Sequence, residues 1–122
     1  MNYMEILQID DSTVICDLYL DMLDSRGHSV SSANDGREGL ELVLKNNYDL
    51  ILLDLCMPDY SGMDFLADLK TQRPSELKKV IVISRLELND SQIVDLTEFG
   101  IHSIQTKPSD LVNLEDPQKL VV

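Results

Sequence analysis

The 122-residue sequence predicts a single α/β domain: a doubly wound, mostly parallel five-stranded sheet with helices on both faces. Three observations predict it. Short apolar runs alternate with stretches of helical spacing along most of the chain. Leu50–Leu53 is apolar without interruption, as suits a central strand buried on both faces of a parallel sheet. The length fits one compact domain, and 43% hydrophobic residues can build one core.

The elements follow in order. Met4–Ile9 reads as the first strand, ending at Asp10 and Asp11. In the helix after it, Val14, Leu18 and Met22 lie four apart with Ile15, Tyr19 and Leu23 beside them; Ser12 is its expected N-cap and Gly27 its stop. A weak second strand covers His28–Ser32, and Asn34 opens a helix whose apolar side carries Leu40, Val43 and Leu44. Asp49–Asp54 is the third strand. A loop, Leu55–Gly62, is punctuated by Pro58 and Gly62, and Ser61 with Asp64 makes a capping-box start for a helix that buries Phe65, Leu66 and Leu69. Val80–Ile83, β-branched throughout, is the fourth strand. A helix around Ser91–Phe99 ends at Gly100, and a short polar fifth strand spans His102–Thr106 before Pro108. In the tail, Ser109–Val122, Pro117 interrupts any further helix early. Residues 1–122 therefore read as one domain, with a short last helix.

Twenty-two acidic against ten basic residues give a formal charge of −12. That field repels phosphate backbones and anionic lipid, so neither nucleic acid nor a membrane surface is an expected partner. No apolar run approaches the roughly 20 residues that span a bilayer, and Met1–Glu5 lacks a secretory pattern, so the expected location is cytoplasmic. Cys16 and Cys56 form neither a metal spacing nor a disulfide framework and read as reduced core or loop residues. His28 and His102 read as surface or strand-end residues, and the scattered acids as solvated.

In doubly wound folds ligands bind beyond the carboxyl ends of the strands. Those positions collect Asp10 and Asp11, then Asp54, then Ser84, then Lys107. Three converging carboxylates repel one another unless a cation intervenes, and an all-oxygen set that retains waters suits Mg²⁺. Lys107 can neutralise charge and Ser84 can donate to a phosphoryl oxygen, while a central carboxylate can act as a nucleophile. Phosphoryl transfer asks mainly for positioning and charge stabilisation, and this set offers both.

Asp10-Asp11 after a first strand, Leu52 to Pro58 with Gly62 beyond, Ser84 after Val80–Ile83, and Lys107-Pro108 together resemble the receiver domain of bacterial response regulators. The likeness runs from Met4 to Pro108. Each motif alone is common; all of them in order on an alternating βα pattern are specific. The resemblance implies a flavodoxin-like sheet of order 2-1-3-4-5 and a two-component phosphorelay in which Asp54 accepts a phosphoryl group from a sensor histidine kinase or phosphotransfer protein. It implies Asp11, Asp54 and the backbone carbonyl of Cys56 as direct Mg²⁺ ligands, with Asp10 acting through metal-bound water. Lys107 would contact the phosphoryl group, and Ser84 would move toward it. The partner on the output side would be a downstream protein or a separate effector domain, and a homodimer is compatible with the family. The domain would be a signalling switch and not a classical enzyme, phosphorylating itself from small donors with Mg²⁺ and losing the group slowly.

Three positions depart from the family. Ile104 stands where Tyr or Phe usually switches, Arg85 where a small residue usually follows Ser84, and Pro117 interrupts the usual long last helix. A receiver fold retained for binding without phosphorylation is the rival that Ile104 and the tail favour. An aspartyl phosphatase is the other, but it needs an acid two residues after its nucleophile, where this chain has Cys56.

Overall fold

A computed structural model describes residues 3–57, 59–84 and 87–105. Among the described residues five strands and four helices alternate: β1 (Glu5–Ile9), α1 (Thr13–Asp24), β2 (Ser29–Ala33), α2 (Gly36–Lys45), β3 (Leu50–Asp54), α3 (Gly62–Gln72), β4 (Val80–Ile83), α4 (Asp90–Glu98) and β5 (Ser103–Gln105). All pairings are parallel, in the order β2-β1-β3-β4-β5. The expected sheet is the observed one, and β4 has the expected bounds.

The period-two alternation of the strands divides the core. Leu7, Ile9, Ile51, Leu53, Val80 and Val82 point to one face, where Val43 of α2, Phe65, Leu66 and Leu69 of α3 and Leu96 of α4 cover them. Ile6, Leu50, Leu52 and Ile81 point to the other, against Tyr19 and Leu23 of α1. All five residues of β3 are buried, as its central place requires. A fully buried aromatic such as Phe65 contributes about 1.5–3 kcal/mol by area alone.

Several local expectations change. Of the two rows named on α1, Val14 and Leu18 face solvent, with Val14 75% exposed, and Tyr19 and Leu23 are buried together with Cys16. Two apolar rows competed for the sheet, and spacing alone does not rank them. Asp35, not Asn34, caps α2, its side chain accepting from the Glu38 N–H. On the same helix Leu44 is exposed, and Gly36 and Gly39 take the buried face beside Val43; Gly39 lets Ile9 pack flat against the helix backbone. The Ser61–Asp64 capping box of α3 forms as expected, and α4 gains a second one from Asn89 and Gln92.

A 3-10 segment, Pro74–Lys79, joins α3 to β4 and was not expected. Within it Glu76 is buried, not solvated, and is held by Arg73 at 3.3 Å and Lys79 at 2.7 Å. Arg73 also donates to the carbonyls of Val43 and Asn46, occupying acceptors at the end of α2. His28 is buried as well: its Nδ1 accepts from the Met4 N–H and ties the chain's start to β2. His102, at a strand end and half-buried, matches expectation and pairs with the Ser103 hydroxyl. The expected last helix and its break at Pro117 lie outside the described residues.

Candidate functional site

The carboxyl ends of β1 and β3 lie side by side, with Ile9 in register with Leu53. The residues that follow therefore meet at one edge of the sheet. Asp10, Asp11 and Asp54 each place a carboxylate oxygen within 4.8 Å of the others. Asp10 and Asp54 are buried and Asp11 is exposed, so the cluster opens to solvent on the Asp11 side. Asp10 is braced from two directions: its carboxylate accepts from the Ser12 N–H at 2.8 Å, and its own N–H donates to the Ala33 carbonyl at 3.1 Å.

Asp54 is the last residue of β3, paired with Ile83 of β4. Its Oδ1 accepts from the Cys56 N–H at 3.2 Å, which fixes the rotation of the carboxylate. The chain then leaves the sheet through a tight loop. Gly62 returns so close that a Cβ there would sit 2.8 Å from the Leu55 Cα and 2.9 Å from the Asp54 carbonyl oxygen. Only glycine lets α3 start against the end of β3 in this way.

Ser84 follows β4 and is buried, and its N–H donates to the Gln105 carbonyl at 2.8 Å, so it is held at the same edge as Asp54. Lys107, Pro58, Arg85 and Leu86 lie outside the described residues. The structure thus brings four of the expected site side chains, Asp10, Asp11, Asp54 and Ser84, to one sheet edge. Cys56 contributes its backbone N–H to Asp54 Oδ1, and its thiol is exposed.

Cys16 of α1 belongs to the surroundings of the site, which the sequence did not indicate. Its thiol donates to the Asp10 carbonyl at 3.4 Å. Burial, then the charges of Asp10, Asp17, Asp11 and Asp54, push its pKa up to about 11, so it is a neutral packing group. Tyr60 was missed too. It is buried in the loop after Asp54, its hydroxyl donates to Asp68 Oδ2 of α3, and the Arg37 guanidinium lies 4.6 Å from its ring centre.

Three carboxylates with two of them buried are unfavourable unless positive charge is supplied. The donor set is all oxygen, open on one side and rich in charge, which fits a hard divalent ion that keeps some waters. Fold and site together define a doubly wound α/β domain with a cluster of three carboxylates at its carboxyl edge. Residues 6–117 match the family model of the response regulator receiver domain, and the chain belongs to that family of two-component signalling domains.

Among curated relatives, the transcriptional regulatory protein DltR of Streptococcus agalactiae is 33% identical over 105 residues, which are 86% of this chain and 46% of DltR. The chain spans less than half the length of the curated relatives it matches. Among solved structures, the Vibrio cholerae chemotaxis protein CheY4 superposes with a TM-score of 0.86 at 24% identity, covering 99% of this chain and 100% of that one. TrrA of Thermotoga maritima, solved in complex with Mg²⁺-BeF, superposes with a TM-score of 0.78 at 24% identity, covering 97% and 98% of the two chains. Both likenesses concern the fold. No helix among the described residues is long and apolar enough to cross a membrane.

Proposed function

We propose that this chain is a phosphoacceptor switch in which Asp54 takes a phosphoryl group from a phosphohistidine in a Mg²⁺-dependent reaction. The observation that carries the reading is the convergence of Asp10, Asp11 and Asp54 within 4.8 Å at the carboxyl edge of the sheet. The Mg²⁺-BeF complex of TrrA, a protein of the same fold, is consistent with it. Asp11, Asp54 and the Cys56 carbonyl would hold the ion, with Asp10 acting through water. When bound, the ion neutralises the carboxylates and the charge that develops on the transferred group.

The protein's own residues do the rest. A carboxylate oxygen of Asp54 attacks phosphorus, the phosphorus–nitrogen bond of the donor breaks, and the imidazole leaves as an acyl phosphate forms. The Cys56 N–H on Oδ1 keeps the nucleophile in one orientation throughout. Ser84, held at the same edge, supplies a hydroxyl donor to a phosphoryl oxygen, and Lys107 supplies the positive charge that the family pattern gives it. The donor partner is a sensor histidine kinase or a phosphotransfer protein in the cytoplasm. The output partner is a downstream protein or an effector domain, and residues 1–122 act as one receiver domain.

The test is incubation with acetyl phosphate and Mg²⁺ followed by intact mass measurement. Wild type should gain one phosphoryl group, and neither Asp54→Asn nor an EDTA-treated sample should gain any. Equal labelling of Asp54→Asn would place the acceptor elsewhere and end this reading.

A further inference from the structure

The chain runs from Asp54 to α3 through Leu55–Met57 and Asp59–Ser61, and three devices fix these described residues. At its far end, Ser61 and Asp64 close the capping box and the Gly62 N–H donates to the Leu55 carbonyl at 3.1 Å. At its near end, the Cys56 N–H holds Asp54 Oδ1. Between them stands Tyr60, whose environment is unusual for a loop side chain. It is 6% exposed. Its hydroxyl reaches along α3 to the half-buried Asp68, and Arg37 of α2 caps its ring. At Gly36 of α2 there is no room for a Cβ, because the Tyr60 ring fills that space.

An apolar side chain would fill the same volume. What tyrosine adds is direction: a charge-assisted hydrogen bond to one helix and a cation–π contact from another. Burial and Asp68 raise the phenol above its ordinary range, so the hydroxyl stays a donor. The preceding residue shows why an anchor is needed. Asp59 has φ of 66°, the left-handed region, the one described non-glycine residue with a positive φ. Such a conformation persists only where its surroundings over-determine it.

We propose that Tyr60 is a positioning residue for the acidic pocket: by hooking the loop to α2 and α3 it holds the Cys56 backbone in the place that orients Asp54 and receives the cation. The inference rests on the phosphoacceptor reading and adds a residue that the reading does not use. It makes Mg²⁺ affinity a property of the Arg37–Tyr60–Asp68 contact as well as of the carboxylates.

The experiment is a calorimetric Mg²⁺ titration of the whole chain, beside its melting midpoint. Tyr60→Phe removes only the hydroxyl and should weaken Mg²⁺ binding about tenfold, the scale at which outer groups act on metal ligands. Asp68→Leu should match it, and the double variant should bind no worse than either single one, since both break one contact. Asp68→Asn keeps a carbonyl acceptor for the hydroxyl and should stay within about twofold of wild type. Phe65→Leu, a core change on the same helix, should lower the midpoint and leave the affinity alone. Wild-type affinity in both Tyr60→Phe and Asp68→Leu, with lowered midpoints, would make Tyr60 a packing residue and overturn the inference alone. Wild type that binds no Mg²⁺ would overturn the phosphoacceptor reading and this inference with it.

Discussion

Replacing Gly62 by alanine should damage stability and site together. Gly62 opens α3, where alanine is intrinsically better by at most about 1 kcal/mol. Against that gain, the new Cβ would lie 2.8 Å from the Leu55 Cα and 2.9 Å from the Asp54 carbonyl oxygen. Both are backbone atoms at the end of a fully buried central strand, so no side-chain rotation relieves the contact. Overpacking of this kind costs about 1–3 kcal/mol, and a net loss of about 2 kcal/mol is expected. For a domain of this size that is a drop in melting midpoint of roughly 8 °C. Gly100→Ala is the control. Gly100 has φ of 79° and nothing within 4 Å of a built Cβ, so its cost is backbone strain alone, about 1 kcal/mol. Urea denaturation gives both losses, and a Mg²⁺ titration separates them, since only Gly62→Ala presses on the backbone of Asp54. A Gly62→Ala protein no less stable than Gly100→Ala, or one with unchanged Mg²⁺ affinity, would refute the steric reasoning.

Other outcomes are expected from the same geometry. Three carboxylates within 4.8 Å repel by about 3 kcal/mol per pair at an effective dielectric near 20 before screening, so Asp54→Asn should be more stable than wild type in EDTA by about 1 kcal/mol or more. Millimolar Mg²⁺ should erase that advantage by stabilising wild type, and a less stable Asp54→Asn in EDTA would contradict the repulsion. Brief alkylation at pH 8 should modify the exposed Cys56 and spare Cys16, which is 5% exposed and has about one thiol in a thousand ionised; labelling of both at similar rates would show that α1 opens readily. Cys56 offers an attacking water only a weak hydrogen-bonding side chain, so the acyl phosphate should decay slowly, and Cys56→Asn should speed its loss. Decay of wild type within seconds would show that water is placed by other means.

The fold was legible because its strands are written in the most redundant part of the sequence. Leu50–Leu53 and Val80–Ile83 are short apolar runs of strand length, and the Ser61–Asp64 pair marks a helix start by chemistry that works locally. The acidic site was legible because chain order and the strand-end rule suffice to bring Asp10, Asp11 and Asp54 together. What escaped depends on contacts distant in sequence. Which row of α1 faces the sheet is settled by Tyr19 and Leu23 meeting Ile6 and Ile81, not by spacing. The burial of Glu76 depends on two flanking cations folding over it, and that of His28 on a hydrogen bond from Met4, 24 residues away. Tyr60 gave no signal because its partners, Arg37 and Asp68, sit on two different helices.

The two sides of the site are built to different standards, and that bears on how a signal would leave it. Around Asp54 the backbone is fixed: β3 is buried throughout, the loop is hooked at Tyr60, and Gly62 is wedged against the strand end. On the Ser84 side the structure thins out. All three residues of β5 are only half-buried, α4 has Leu96 as its one fully buried side chain, and Ile93 and Val94 face solvent. Elements with little buried apolar surface move at the least free-energy cost. Ser84 is joined to β5 by its N–H on the Gln105 carbonyl, one residue past Ile104. Ile104 itself pairs with Val82 and packs on the core, so it already occupies an inward position. A displacement of Ser84 toward a phosphoryl group on Asp54 would therefore pull on β5 through backbone, whatever side chain stands at position 104. A short aliphatic residue there removes a swinging lever, but it leaves this backbone link between Ser84 and β5 in place.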